Sequence, residues 1–239
     1  MNLFDKLRMQ LRFRRYQRRK EAAEIHFMQS LPLSGVTVID VGANKGVYSY
    51  WMSRAVGPTG RVIAFEPQPE LEKHLADVVG SFFLSNVEIV PHALSARPGD
   101  AVLYRRNVGS GDASFEAMPG GEAIEVSCTT LDDYVAASGL DGIAYIKCDV
   151  EGHELAVMQG AEKTLKRWGP VLQVECHHRE AAQGDLFTFL SGLGYEGFFI
   201  QDGKRVPCDE FDLHPCRKAT IDHRNYLFIP SKSVVGEQT

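Results

Sequence analysis

The chain has 239 residues, of which 44% are hydrophobic and 24% charged, and carries a formal net charge of −5. That length supports one domain of generous size with a substantial core, and the acidic balance argues against a dedicated nucleic-acid binder. No apolar run is long enough to span a bilayer and the first residues lack the continuous apolar stretch of a secretory signal, so a cytoplasmic protein is expected.

The chain opens on a basic segment, from Lys6 through Arg8, Arg12, Arg14, Arg15, Arg18 and Arg19 to Lys20. Leu3, Phe4, Leu7 and Leu11 recur within it at helical spacing. Residues 1–30 therefore read as a helical arm, either solvated ahead of the domain or touching an anionic membrane or a protein partner. The domain proper is expected over 31–230, with a tail over 231–239.

Val36 to Val41 reads as an apolar strand running into Gly42-Ala43-Asn44-Lys45-Gly46, a turn that opens a helix over Gly46 to Val56. Gly42 and Gly46 permit positive φ and remove Cβ atoms that would obstruct a ligand. The turn lacks the G-x-G-x-x-G spacing of a dinucleotide site, and Asp40 precedes it. A carboxylate there repels pyrophosphate but suits a cation such as the amino group of S-adenosylmethionine. A second strand over Arg61 to Phe65 ends in Glu66, about twenty residues past the turn, where an acid can accept hydrogen bonds from both ribose hydroxyls. Pro67 then stops the strand.

A helix over Glu70 to Leu84 and a strand over Val87 to Pro91 follow. Two short alternating segments, Ala101 to Val108 and Ala123 to Thr129, interrupt the pattern, and the glycine-rich stretch from Gly109 to Gly121 reads as a loop over the active site. Thr130 is the expected N-cap of a short helix. The apolar strand Ile143 to Asp149 delivers Asp149, Glu151 and His153 at its carboxyl end, the edge where open α/β sheets bind ligands. After a helix over His153 to Arg167, the strand Val171 to Glu175 brings Glu175 and His177 to the same edge. A helix over Ala182 to Leu193 and strands over Gly194 to Ile200 and Asn225 to Ile229 complete an α/β fold, a mostly parallel sheet with helices on both faces. The five cysteines form no Cys-x-x-Cys pair and read as reduced thiols. Cys208, His214 and Cys216 match no familiar zinc spacing.

Asp-Val-Gly-Ala-Asn-x-Gly at Asp40 to Gly46, Phe-Glu-Pro at Phe65 to Pro67, Asn86-Val87 leading to Ala93-Leu94-Ser95, Thr130-Leu131-Asp132, and Ile-Lys-x-Asp-Val-Glu-Gly at Ile146 to Gly152 together resemble the FkbM-type methyltransferases. The first element suits any class I methyltransferase; the last two are particular to this family. The resemblance implies a Rossmann-like class I sheet of seven strands with an antiparallel last strand, S-adenosylmethionine as cofactor, and O-methylation of a sugar, glycan or natural product. It assigns Asp40, Gly42, Ala43, Asn44 and Gly46 to the methionine end, with Tyr48 and Ser49 nearby. Glu66 and Pro67 go to the ribose, His92 and Ala93 to the adenine, and Asp149 to the sulfonium.

Methyl transfer to oxygen needs an aligned acceptor and a base, for which Glu151, Glu175 and His177 are the candidates. A divalent ion on Asp149, Glu175 and His177 is chemically allowed but not expected. An NAD-linked oxidoreductase would need the missing glycine fingerprint and a Tyr-x-x-x-Lys pair, whereas Tyr145 is followed by Lys147. An RNA-binding or nucleic-acid methyltransferase would use the basic arm, but the Asp/Asn-Pro-Pro-aromatic element that clamps a flat base is absent. A small-molecule or glycan acceptor is expected, and no nucleic acid.

Overall fold

The computed structural model describes residues 3–177, 184–213 and 223–231. Its elements in chain order are α1 (Leu3–Arg19), α2 (Ala22–Ser30), β1 (Thr37–Val41), α3 (Val47–Val56), β2 (Arg61–Phe65), α4 (Pro69–Phe82), β3 (Val87–Val90), β4 (Ala93–Leu94), β5 (Gly99–Arg105), β6 (Glu122–Thr129), α5 (Leu131–Ser138) and β7 (Tyr145–Cys148). They continue with α6 (Glu154–Gln159), α7 (Glu162–Trp168), β8 (Val171–His177), α8 (Asp185–Gly192), β9 (Tyr195–Gln201), β10 (Lys204–Pro207), a 3-10 turn (Cys208–Leu213) and β11 (His223–Pro230).

The main sheet has the order β10-β9-β11-β8-β7-β1-β2-β3. β3, β2, β1, β7 and β8 are mutually parallel, and β11 runs antiparallel to both β8 and β9. All seven expected strands are present. An eighth, β10, pairs antiparallel with β9 at the edge, where its four residues, two charged ones followed by Val206 and Pro207, offered no hydrophobic alternation to read. β4, β5 and β6 form a separate three-stranded sheet, containing the two alternating segments. The strand order reverses between β1 and β7, which opens a crevice at their carboxyl ends.

Strand periodicity divides the core in two. Ile39, Val41, Ile63, Phe65, Ile146, Cys148, Leu172 and Val174 face one side, under α5 to α8. Val38, Val62 and Tyr145 face the other, under α2 and α3 through Ile25, Met28, Met52 and Val56. By the same alternation Asp40, Lys147 and Gln173 lie on this second side, and all three are buried. Here the apolar core gives way to a polar layer.

The basic segment is not a detached arm. α1 inserts Phe13 against Tyr50 and Phe82, and α2 buries Ile25 and Met28; full burial of each such side chain contributes roughly 1.5 to 3 kcal/mol. The helix expected over His153 to Arg167 is two, α6 and α7. Gly160 between them presses on Ser95, whose carbonyl oxygen would lie 2.0 Å from a Cβ there. Residues 182 and 183 of the expected helix before β9 lie outside the described residues. Thr130 caps α5, its hydroxyl accepting the Asp133 N–H at 2.9 Å. Thr130→Ala is expected to cost about 1 kcal/mol in urea unfolding; an unchanged midpoint would discount the cap.

Candidate active site

A cleft lies over the carboxyl ends of β1, β2 and β7. Its walls include Gly42, Asn44, Phe65, Glu66, Pro67, Leu71, His92, Ala93, Leu94, Leu103, Asp149 and Glu151. Gly111, Ala113 and Phe115 cover it, so the glycine-rich loop does lie over the site. The loop is tied down: Ser114 exchanges backbone hydrogen bonds with Tyr104, and its hydroxyl donates to the Glu151 carbonyl at 2.9 Å.

Glu66 is the buried acid of this cleft. Its Oε2 accepts the Asn44 N–H at 2.8 Å and its Oε1 the Gln68 N–H at 3.0 Å. Burial pushes its carboxyl up to about 7, against the pull of those two N–H groups. Each oxygen keeps a free lone pair for a further donor. Asn44 and His92 line the same cleft, and their buried Oδ1 and Nδ1 have no hydrogen-bond partner among the described residues. Unsatisfied buried polar atoms beside apolar walls and a diol-matching carboxylate are what an adenosyl group would complete, and the residues present fit S-adenosylmethionine.

A second cavity, of about 590 Å³, opens beside the first and shares Asn44, Gly111, Asp149 and Glu151 with it. Glu175, Asn225, Tyr16, Lys20, Glu21 and Glu24 also line it, with Phe199, Ile200 and Gln201 of β9. Glu175 sits opposite Asn225 in the β8–β11 ladder. Burial, then the Asp149 charge, pushes the Glu175 carboxyl up to about 8. Burial and the neighbouring Asp149, Glu154 and Asp112 raise Glu151 to about 7. Glu151 also holds a left-handed backbone conformation, φ 54°, uncommon for a residue with a side chain. The turn is pinned by Glu154, whose carboxylate accepts the N–H groups of Val150 and Gly152. His153 turns away to Ser95 and Phe115.

Not every expected contact reaches the cleft. Asp40 lies on the second side of β1, where Ser49 Oγ donates to it at 2.6 Å, so Asp40 and Ser49 stand behind the wall instead of on it. Ala43 packs with Ala64 and Leu75. A Cβ on Gly42 would lie 2.0 Å from the Asp149 carbonyl oxygen, and one on Gly46 would lie 2.6 Å from Leu75 Cδ1. Both glycines have positive φ as expected, but protein packing rather than ligand approach forbids their side chains. Tyr48 is buried, donating to Glu21 at 2.5 Å and accepting from Gln173 Nε2 at 2.7 Å. For His177 only the backbone, paired with His223, is described; its side chain lies outside the described residues, as do His178, His214 and Cys216. Among the described residues no three His, Cys, Asp or Glu side chains converge as a metal shell.

Sequence reasoning missed the polar layer beneath the second cavity. Lys147 is buried with its Nζ 2.7 Å from Asp149 Oδ2 and 4.7 Å from the Tyr48 ring. Burial alone would discharge it, but Asp149, Asp40 and Glu21 hold it well above the ordinary lysine value. Glu21, at the α1–α2 junction, accepts from Tyr16, Tyr48 and Asn225. Gln173 links Tyr48, Tyr145 and Asn225. The alternation Tyr145, Lys147, Asp149 on one face was the available signal for Lys147. Lys147→Met should strand Asp40 and Asp149 without their cation and cost about 3 to 5 kcal/mol of stability, read by denaturant unfolding; a loss under 1 kcal/mol on the same scale would contradict this.

The profile of the family described as Methyltransferase FkbM domain matches residues 40–196. The 31-O-demethyl-FK506 methyltransferase FkbM of Streptomyces tacrolimicus is 36% identical over 199 residues, 70% of this chain and 75% of that protein. The 2-O-methyltransferase NoeI of Sinorhizobium fredii is 26% identical over 54% of this chain and 59% of that protein. Among solved structures, the methyltransferase FkbM of Methylobacillus flagellatus superposes with a TM-score of 0.56 at 17% identity. That alignment covers 84% of this chain but only 45% of the solved one, and shows the fold.

Proposed function

The chain belongs to the FkbM methyltransferase family, and from that premise we propose that it methylates a hydroxyl oxygen of a sugar, glycan or other natural product. The observation that carries this reading is the meeting of two cavities at Asn44, Gly111, Asp149 and Glu151. One has the lining of a cofactor site, and the other is open and rich in hydrogen-bond acceptors. The names of the two relatives, a 2-O-methyltransferase and a methyltransferase of 31-O-demethyl-FK506, support oxygen as the acceptor atom.

S-adenosylmethionine, when bound, supplies an electrophilic methyl group on a positively charged sulfur. We assign Glu66 to the ribose diol, His92 and Ala93 to the adenine, Asn44 to the methionine end and Asp149 to the positive charge. Asp40, Ser49, Ala43 and Gly46 set the turn from behind, and Tyr48 supports the polar layer. Glu175 is the assigned base, which would take the acceptor hydroxyl's proton as the methyl–sulfur bond gives way to the new C–O bond, with Glu151 and His177 as its alternatives. The wall residues keep both partners in line across the shared boundary.

The test is transfer from methyl-labelled S-adenosylmethionine to a panel of sugars, glycans and hydroxylated natural products. Label recovered as a methyl ether is the expected result. Label recovered on nitrogen or in RNA would contradict the proposal.

A further inference from the structure

The charge of this protein is divided unevenly. The first twenty residues hold eight Lys or Arg and one Asp, whereas the remaining 219 hold 18 Lys or Arg and 30 Asp or Glu. Nearly all of the cationic segment is one helix, α1, and α1 has two apolar faces. Met9, Phe13 and Tyr16 form the inner one, packed on the body. Phe4, Leu7 and Leu11 recur at i, i+3 and i+7 on the opposite side, at 74%, 51% and 65% exposure. Arg8, Arg14, Arg15 and Arg18 are exposed around and beyond this outer stripe. Phe83 projects beside the same helix, 82% exposed, with Lys6 Nζ 4.7 Å from its ring.

We propose that the outer face of α1, together with Phe83, docks the protein on an anionic lipid surface. An interfacial helix lies in the membrane plane with large apolar side chains in the headgroup boundary and cationic ones around them, and both halves of that signature share one face here. A nucleic-acid backbone would use the arginines but leave Phe4, Leu7 and Leu11 in water. A second copy is disfavoured as well. Two outer faces set against each other would oppose their arginines, and among the described residues the other large exposed apolar side chains are only Val102 and Val108, too few to receive the stripe. The inner side of the same helix pair lines the acceptor cavity through Tyr16, Lys20, Glu21 and Glu24. Docking would therefore hold that cavity close to the lipid boundary. The docking itself does not depend on the methyl-transfer reading.

The test is flotation of the full-length protein with vesicles of phosphatidylcholine alone or mixed with phosphatidylglycerol. Co-flotation with the anionic vesicles, weakening with salt, is expected. The double variant Leu7→Ser/Leu11→Ser keeps every charge and should lose about tenfold in partitioning, while Arg14→Gln and Arg15→Gln should each lose about fivefold. These side chains are exposed, so the variants should melt with the parent. Failure to float with anionic vesicles would overturn the proposal, as would flotation indifferent to the leucine substitutions. Tight RNA binding without lipid binding, or a dimer abolished by Leu7→Ser/Leu11→Ser, would assign the face to another occupant and overturn it equally.

Discussion

Glu66→Ala is expected to weaken S-adenosylmethionine binding more than any other single change in the cleft. The carboxylate is buried, faces the cleft and retains one free lone pair on each oxygen, so a vicinal diol can give it two charge-assisted hydrogen bonds. Each such bond contributes about 1.5 to 3 kcal/mol, and losing both should raise Kd by two orders of magnitude or more. Glu66→Gln, which keeps one acceptor oxygen, should fall between. The pH dependence has a definite sign. Burial holds the free carboxyl near 7, whereas donors from the diol favour the ionised form. Binding therefore expels a proton, and affinity should fall as pH drops through 7, by at most about tenfold per pH unit. Titration calorimetry checks both effects. A Glu66→Ala affinity equal to that of the parent would remove the ribose assignment.

Glu175→Gln is the second large effect, and it should fall on kcat. With Glu175 as the base, substitution should lower turnover by about 10² to 10⁴ and leave cofactor affinity unchanged, because Glu175 lines only the acceptor cavity. Burial and Asp149 raise the Glu175 carboxyl to about 8, so at neutral pH it is mostly protonated and unable to accept. The parent rate should therefore climb with pH through about 8, and the climb should vanish in the variant. Glu151, raised to about 7, gives the discriminating outcome: a limb near 7 that survives Glu175→Gln and is lost in Glu151→Gln would move the role to Glu151.

The parts of this site that are legible in the sequence are those whose chemistry is local. A glycine turn after an apolar strand, Glu66 ahead of Pro67, and Asp149, Glu151 and Glu175 at strand tips each announce themselves within a few residues. The positive φ of Gly42 and Gly46 follows from the turn, but the atoms that forbid a Cβ there belong to Asp149 and Leu75, distant in the chain. The side on which Asp40 lies is set by the pleat. Asp40 is one residue from Val41, a cleft residue, and pleating alone turns it to the other side, under Ser49. Glu21 carries no motif because its partners Tyr48 and Asn225 lie 27 and 204 residues away. The basic segment shows its helical spacing plainly, yet its role as a wall of the second cavity depends on Phe13 finding Tyr50 and Phe82, which no local pattern encodes.

The most direct measurement is a calorimetric titration of the full chain with S-adenosylmethionine. Saturable one-to-one binding, retained by Glu175→Gln and weakened about a hundredfold or more in Glu66→Ala, is the predicted result. The absence of any binding by the folded parent protein, even at millimolar cofactor, would contradict the assignment of the cleft.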